Sequence, residues 1–168
     1  MKKTRSLFAL LFFALLISGC EKDDICEANK PTTPRLIITF YDDLNPTVLK
    51  NVTNLQITGE GAAASFLFNG VSKVALPLKT IEDLTNYSLI INSTEPAIDN
   101  QDFLQFNYTR QNVFVSRACG FKTLFMLKTT NPVLKTDSSS ADGFWIKNIT
   151  IETSKIETEN ETHIKIYF

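Results

Sequence analysis

The feature that most limits what this chain can fold into is the spacing of its apolar residues, which recur at every second position in short runs. Leu104, Phe106 and Tyr108 alternate with Gln105, Asn107 and Thr109, and Ile164, Ile166 and Phe168 alternate with His163, Lys165 and Tyr167. Side chains of a strand point to opposite faces in turn, so this pattern predicts strands with one buried and one wet face. No window shows the 3.6-residue apolar period of an amphipathic helix. The runs are rich in Ile, Val, Thr, Phe and Tyr, which fit a pleated surface better than a helix.

Turn formers cut the chain into many such runs. Strands are expected at 35–41, 53–58, 65–68, 72–76, 87–91, 121–127, 145–152 and 163–168, separated by clusters such as Asp42-Asp43-Leu44-Asn45-Pro46 and Gly59-Glu60-Gly61. A hairpin is expected over 104–115, with Arg110-Gln111-Asn112 as its turn before Val113-Phe114-Val115. The stretch 128–143 reads as a long polar loop and the likeliest excursion from the fold. The expectation is therefore an all-β domain, an antiparallel β-sandwich of about nine or ten short strands with one disulfide. No fixed-period repeat suggests a solenoid or propeller.

The start of the chain carries a different message. Lys2, Lys3 and Arg5 precede an apolar run from Leu7 to Ile17, and Leu16-Ile17-Ser18-Gly19-Cys20 is a lipobox, in which small residues stand directly before a cysteine. The apolar run is too short to span a bilayer, which takes roughly 20 residues. Residues 1–19 are thus expected to be a lipoprotein signal peptide, with Cys20 the lipidated residue that anchors the protein to a membrane. Residues 20–34 read as a tether, which Pro31 and Pro34 keep out of a helix. Residues 35–168 form the folded domain, and 149 residues after cleavage suffice for one sizeable core.

Charge and cysteine content narrow the function classes. Without the leader, 14 basic side chains face 18 acidic ones, a net charge of −4. Binding to nucleic acid calls for a basic excess or stripe, and neither is present. With Cys20 acylated, Cys26 and Cys119 remain, and in an oxidising envelope an even pair is most simply a disulfide. A zinc site would need close-spaced ligand pairs, and the chain has a single histidine, so no metal or other cofactor is expected.

Several segments together resemble a known family: Thr33-Pro34-Arg35-Leu36-Ile37-Ile38-Thr39-Phe40-Tyr41-Asp42, Ala75-Leu76-Pro77-Leu78-Lys79-Thr80, Phe106-Asn107-Tyr108-Thr109-Arg110, Val115-Ser116-Arg117-Ala118-Cys119-Gly120-Phe121-Lys122-Thr123 and Trp145-Ile146-Lys147-Asn148-Ile149. They look like a lipoprotein family of Bacteroidota catalogued as a domain of unknown function. The resemblance covers nearly the whole mature chain. It implies the lipobox, a cysteine shortly after it and a partner cysteine in the Arg-Ala-Cys-Gly segment, as found at Cys20, Cys26 and Cys119. It implies no activity, and it makes an outer-membrane β-barrel protein the candidate partner. Glu21-Lys22-Asp23-Asp24 also resembles the export signal that carries lipoproteins of Bacteroidota to the outer face of the outer membrane; the periplasmic face is the alternative.

Catalytic chemistry finds little to stand on. His163 is expected on the wet face of the last strand, with no hydroxyl, thiol or carboxylate placed beside it by any motif. Asp42-Asp43 and the pair Asp99 and Asp102 offer carboxylates for acid–base work or calcium, yet both fall in expected turns, where Asp caps the local backbone, and neither follows an EF-hand spacing. No catalytic residue is assigned, and the protein is not expected to be an enzyme. Tyr108, Arg110, Arg117 and Trp145 are the candidate binding residues, since Tyr, Trp and Arg dominate binding hot spots; for each, packing or ion pairing is the competing role.

The expected function is that of a lipid-anchored accessory or interaction subunit at the outer membrane. The alternative is a surface module that binds glycan or another nutrient. Convergence of Trp145, Tyr108, Tyr41 and Tyr167 in solvent would favour the glycan reading, and a flat aliphatic patch would favour the accessory one.

Overall fold

The computed structural model describes residues 25–30, 32–139 and 142–168. The expected signal peptide, the expected lipidation residue Cys20, the tetrapeptide Glu21-Lys22-Asp23-Asp24 and Pro31 lie outside the described residues. Contacts divide the chain into a larger unit, Thr33–Val113 with Thr123–Phe168, and a smaller one, Met1–Thr32 with Phe114–Lys122.

Among the described residues there are eleven strands and no helix: β1 Leu36–Tyr41, β2 Leu55–Gly59, β3 Phe66–Phe68, β4 Lys73–Leu76, β5 Leu84–Ile91, β6 Asn100–Ser116, β7 Gly120–Leu127, β8 Val133–Asp137, β9 Asn148–Ile151, β10 Lys155–Ile156 and β11 Ile164–Tyr167. One sheet has the order β4-β1-β11-β9, and the other β10-β7-β6-β5-β2-β3 with β8 also on β6. The expected all-β, two-sheet architecture is present. One pairing departs from it: β1 and β11 run parallel, with Ile38 opposite Ile164 and Phe40 opposite Ile166.

The core of the larger unit lies between the inner faces of the sheets. Leu36, Ile38 and Phe40 of β1, Leu76 of β4 and Ile164 and Ile166 of β11 share one apolar cluster with Leu55, Ile57, Leu89, Leu104 and Phe106 of the other sheet. Strand β5 shows the period of two without a break, with Thr85, Tyr87, Leu89 and Ile91 buried and the residues between them half-buried. Strand β1 is buried from Leu36 to Phe40, Thr39 included, which fits its nearly continuous apolar run.

Four expectations are corrected. The hairpin expected at Arg110-Gln111-Asn112 is instead the middle of the 17-residue strand β6. Polar residues there are held by partners across the fold: the Thr123 hydroxyl donates to Asn112 Oδ1 at 2.9 Å, and Arg110 donates to Asp83. The reversal comes at Arg117-Ala118-Cys119 and ends at Gly120, whose φ of +68° suits a residue without Cβ. The 128–143 loop contains β8, drawn into order by its ladder with β6.

His163 is fully buried rather than on a wet face. It extends the β1/β11 register by one residue, and its N–H donates to the Ile37 carbonyl at 3.0 Å. Asp102 lies in β6 and not in a turn, with its side chain on the inner face beside Leu104.

In the smaller unit, Cys26 and Cys119 form the expected disulfide, with Cα atoms 4.8 Å apart. The Cys119 N–H donates to Ser116 Oγ at 3.0 Å, closing the turn that presents the thiol.

Candidate functional site

The outer face of the larger sheet carries an open groove of about 440 Å³, built across β2, β5, β6 and β8. Its floor follows from register. Ser88 of β5 stands opposite Thr58 of β2 and Phe103 of β6, and Phe103 stands opposite Thr136 of β8. A second row joins Asn86, Gln105 and Leu134. Strands lie about 4.8 Å apart, so four of them carry such a row over roughly 14 Å.

Most floor positions hold the short polar side chains expected of a wet face. Two do not: Phe103 and Leu134 are large, apolar and exposed. The neighbouring polar groups are largely tied to one another. Gln101 Nε2 donates to Ser88 Oγ at 2.7 Å, Gln105 Nε2 to Asn107 Oδ1 at 2.8 Å and Asn86 Nδ2 to Glu60 Oε2 at 2.8 Å. The Tyr87 ring passes beneath the groove into the core, its hydroxyl donating to the Pro77 carbonyl, and burial holds the phenol protonated far above its ordinary range. The result is a shallow apolar strip framed by amides and hydroxyls.

The candidate binding residues found in the sequence sit elsewhere. Tyr108 is fully buried; its hydroxyl donates to the Lys79 carbonyl at 2.9 Å and shares a 2.7 Å hydrogen bond with Thr85 Oγ1, and its ring meets Phe125 edge-on. Trp145 is buried against Phe168, and its indole N–H donates to the Leu89 carbonyl at 3.3 Å. Neither ring is presented to solvent. Arg110 is held by Asp83 Oδ1 at 2.7 Å and the Thr80 carbonyl at 2.6 Å, which fixes a loop to the end of the sheet. Arg117 is exposed in the smaller unit and lines a cleft of about 460 Å³ beside the disulfide. Tyr41 and Tyr167 do pair, with ring centroids 5.7 Å apart and the Lys165 ammonium 5.3 Å from the Tyr41 ring.

The titratable groups singled out in the sequence have structural partners. His163 Nδ1 accepts the Ile37 N–H at 2.9 Å, its Nε2 is buried, and burial lowers its pKa below the ordinary imidazole value. Asp102 Oδ2 accepts the Ile146 N–H at 2.8 Å, Oδ1 has no partner, and burial raises the carboxyl pKa. Asp42 acts as a turn cap, accepting from Leu44 N–H, Asn45 Nδ2 and the Lys50 ammonium. Among the described residues, no three His, Cys, Asp or Glu side chains are grouped to hold a metal ion.

Residues 54–168 match the model of a family of unknown function, DUF6452. The chain belongs to that family. The matched span takes in every strand that floors the groove and begins after β1 and Cys26, so the DUF6452 match includes Cys119 without its disulfide partner. No curated protein and no solved structure matches the chain. The groove-lining residues Phe103 and Leu134 were not singled out in the sequence, although the signal was present: each puts a large apolar side chain at a wet position of an alternating strand.

Proposed function

We propose that this DUF6452 member is a bacterial outer-membrane lipoprotein, acylated at Cys20, that works as a non-enzymatic interaction subunit beside an outer-membrane β-barrel protein. The observation that carries the reading is the pair Phe103 and Leu134, exposed in a groove whose other lining residues are mostly polar. Apolar side chains gathered on a solvated face mark contact surfaces. The location of His163 supports a role without catalysis, since an imidazole with Nδ1 engaged and Nε2 sealed in the core has no route to a substrate. The lipobox and the acidic tetrapeptide after it support display at the outer membrane, on its outer face.

The glycan-binding alternative draws on the amides and hydroxyls around Phe103, which suit a hydroxyl-rich ligand. It has less behind it, because Trp145 and Tyr108 are buried and the groove offers one accessible ring.

The test is affinity purification of the acylated protein from gently solubilised outer membranes, with Cys20→Ala as control, read by mass spectrometry. Recovery of one β-barrel protein in near-equal amount with the acylated form is the expected result. Recovery of the lipoprotein alone would overturn the subunit reading and direct attention to saccharide binding.

A further inference from the structure

The smaller unit ends in a hairpin tip whose chemistry differs from that of the rest of the protein. Phe114 and Phe121 face each other across the tip, ring centroids 5.4 Å apart and edge to face, and are 57% and 69% exposed. Ile25, in the same unit, is 77% exposed. Arg117 and Lys122 lie in the same segment of the chain, and Lys30 is paired with Glu27 at 3.7 Å. The described residues of this unit thus carry three basic side chains and one acidic, against the net negative charge of the mature chain.

Exposed rings at a hairpin tip bring an ongoing hydration cost unless something covers them. The covalent connection of the tip to the N-terminal segment bears on what covers them. Cys119, between the two phenylalanines, is bonded to Cys26, and Cys26 is six residues from Cys20. Six residues reach at most about 20 Å even when fully extended. A Cys20 whose acyl chains enter a bilayer therefore keeps the tip close to the headgroups. Aromatic rings beside Arg and Lys are the composition of the membrane interface, where rings sit at headgroup depth and the cations extend their charges to water and phosphate.

We infer that the hairpin tip, through Phe114 and Phe121, dips into the interfacial layer of the bilayer that holds the acyl chains of Cys20, and so fixes how the smaller unit stands on the membrane. The occupant of the apolar tip is lipid, and the inference rests on the acylation proposed above. The disulfide is what makes the contact enforceable, because it ties the tip to the anchor instead of leaving them joined only through the fold.

The test uses the full acylated protein carrying Phe121→Trp, reconstituted in phosphatidylethanolamine and phosphatidylglycerol vesicles with or without bromine on the acyl chains. The wild-type chain has one tryptophan, Trp145, which is buried and serves as the baseline. The introduced indole is expected to lose most of its emission in brominated vesicles, while wild-type emission is unchanged. Equal emission in both vesicles from protein whose Cys20 is acylated by mass spectrometry would overturn the inference and leave the tip to a protein partner. A Cys20 without acyl chains would overturn the anchoring reading, and this inference with it. Phe114→Trp, on the facing strand, gives the same readout if Phe121→Trp does not fold.

Discussion

Ile37 and His163 exchange two hydrogen bonds: the Ile37 N–H donates to His163 Nδ1 at 2.9 Å, and the His163 N–H donates to the Ile37 carbonyl at 3.0 Å. The histidine side chain thereby takes the place of a backbone acceptor at the start of the only parallel pairing among the described strands. Its imidazole is fully buried and its pKa is lowered by that burial. The neutral form is the one the fold accepts.

This makes stability depend on pH in a definite direction. An unfolded imidazole takes up a proton near pH 6.5, whereas the folded one does so only at lower pH. The unfolded state therefore binds more protons in that window, and stability falls as pH drops below about 6.5. Urea unfolding at pH 7.5 and 5.5 should show the midpoint falling in wild type and falling less in His163→Asn, which has an oxygen acceptor and no titration. His163→Leu leaves the Ile37 N–H without its acceptor and should cost about 1–3 kcal/mol at pH 7.5. An equal pH response in wild type and His163→Asn would remove His163 from the account.

Asp102 carries the opposite sign. Burial raises its pKa, so between the ordinary carboxyl value and the folded one the native state holds the extra proton, and stability falls as pH rises through that window. Asp102→Asn keeps an oxygen for the Ile146 N–H and removes the buried charge. Relative to wild type it should therefore gain stability from pH 4 to pH 7. Asp102→Ala, which orphans the Ile146 amide, should lose about 1–3 kcal/mol at either pH. Paired denaturation curves at the two pH values separate these outcomes, and a wild-type–Asn difference that does not vary with pH would contradict the first.

Both residues show where the sequence is legible and where it is not. The period-two pattern yields most strand positions correctly, because side-chain alternation is a local property of each run. It misplaces His163 because the residue's environment is made by Ile37, far away in the chain. The turn expected at Arg110-Gln111-Asn112 fails for the same reason: Asp83, Thr80 and Thr123 satisfy the polar side chains and let the strand continue. Strand β8 contains two apolar residues in five and becomes a strand only through its partner β6. Tyr108 and Trp145 look like binding residues in sequence, where an aromatic ring with a polar handle has no stated depth. In the fold the handles find Lys79, Thr85 and Leu89, and the rings belong to the core. The groove was hidden differently, since its polar floor is the default for a wet face and only Phe103 and Leu134 mark it.

Tyr108 gives a direct check on that assignment. Tyr108→Phe keeps the ring against Phe125 and removes a hydroxyl that bonds Lys79 and Thr85, leaving those groups short of a buried partner. The expected loss is about 1–3 kcal/mol in chemical denaturation, with no effect on capture of a partner from the membrane. A stable variant that no longer captures its partner would return Tyr108 to the binding surface.

The disulfide joins residues 93 apart in sequence. In the loop-entropy model a closed loop of this size limits the unfolded chain enough to add about 4–5 kcal/mol, an upper figure where the reduced state keeps structure. Cys26→Ser with Cys119→Ser should lower the urea midpoint accordingly and leave the two-sheet circular dichroism signature of the native protein intact. The same double variant detaches the hairpin tip from the residues that follow the anchor, so membrane contact by Phe121 should weaken while acylation of Cys20 continues. A change in neither stability nor tip contact would deny the disulfide both roles.

Phe103 and Leu134 decide the proposed function. Both are exposed on the outer face of the sheet, and replacing each with Thr keeps a strand-favouring residue while removing the apolar surface. Exposed positions away from special backbone or buried partners usually change stability by no more than about 0.5 kcal/mol, so the double variant should unfold within roughly 1 kcal/mol of wild type. Contact residues at the centre of an interface behave otherwise: truncation commonly costs about 2 kcal/mol or more, a loss near thirtyfold in affinity. Phe103→Thr with Leu134→Thr should therefore be folded, acylated and present in the outer membrane, yet recover little or no β-barrel protein on purification. Undiminished recovery would move the interface off this sheet face. Loss of saccharide retention, with recovery of a barrel unchanged, would assign the groove to the glycan reading, because the same two side chains would be acting as the apolar platform for a ligand and not for a protein.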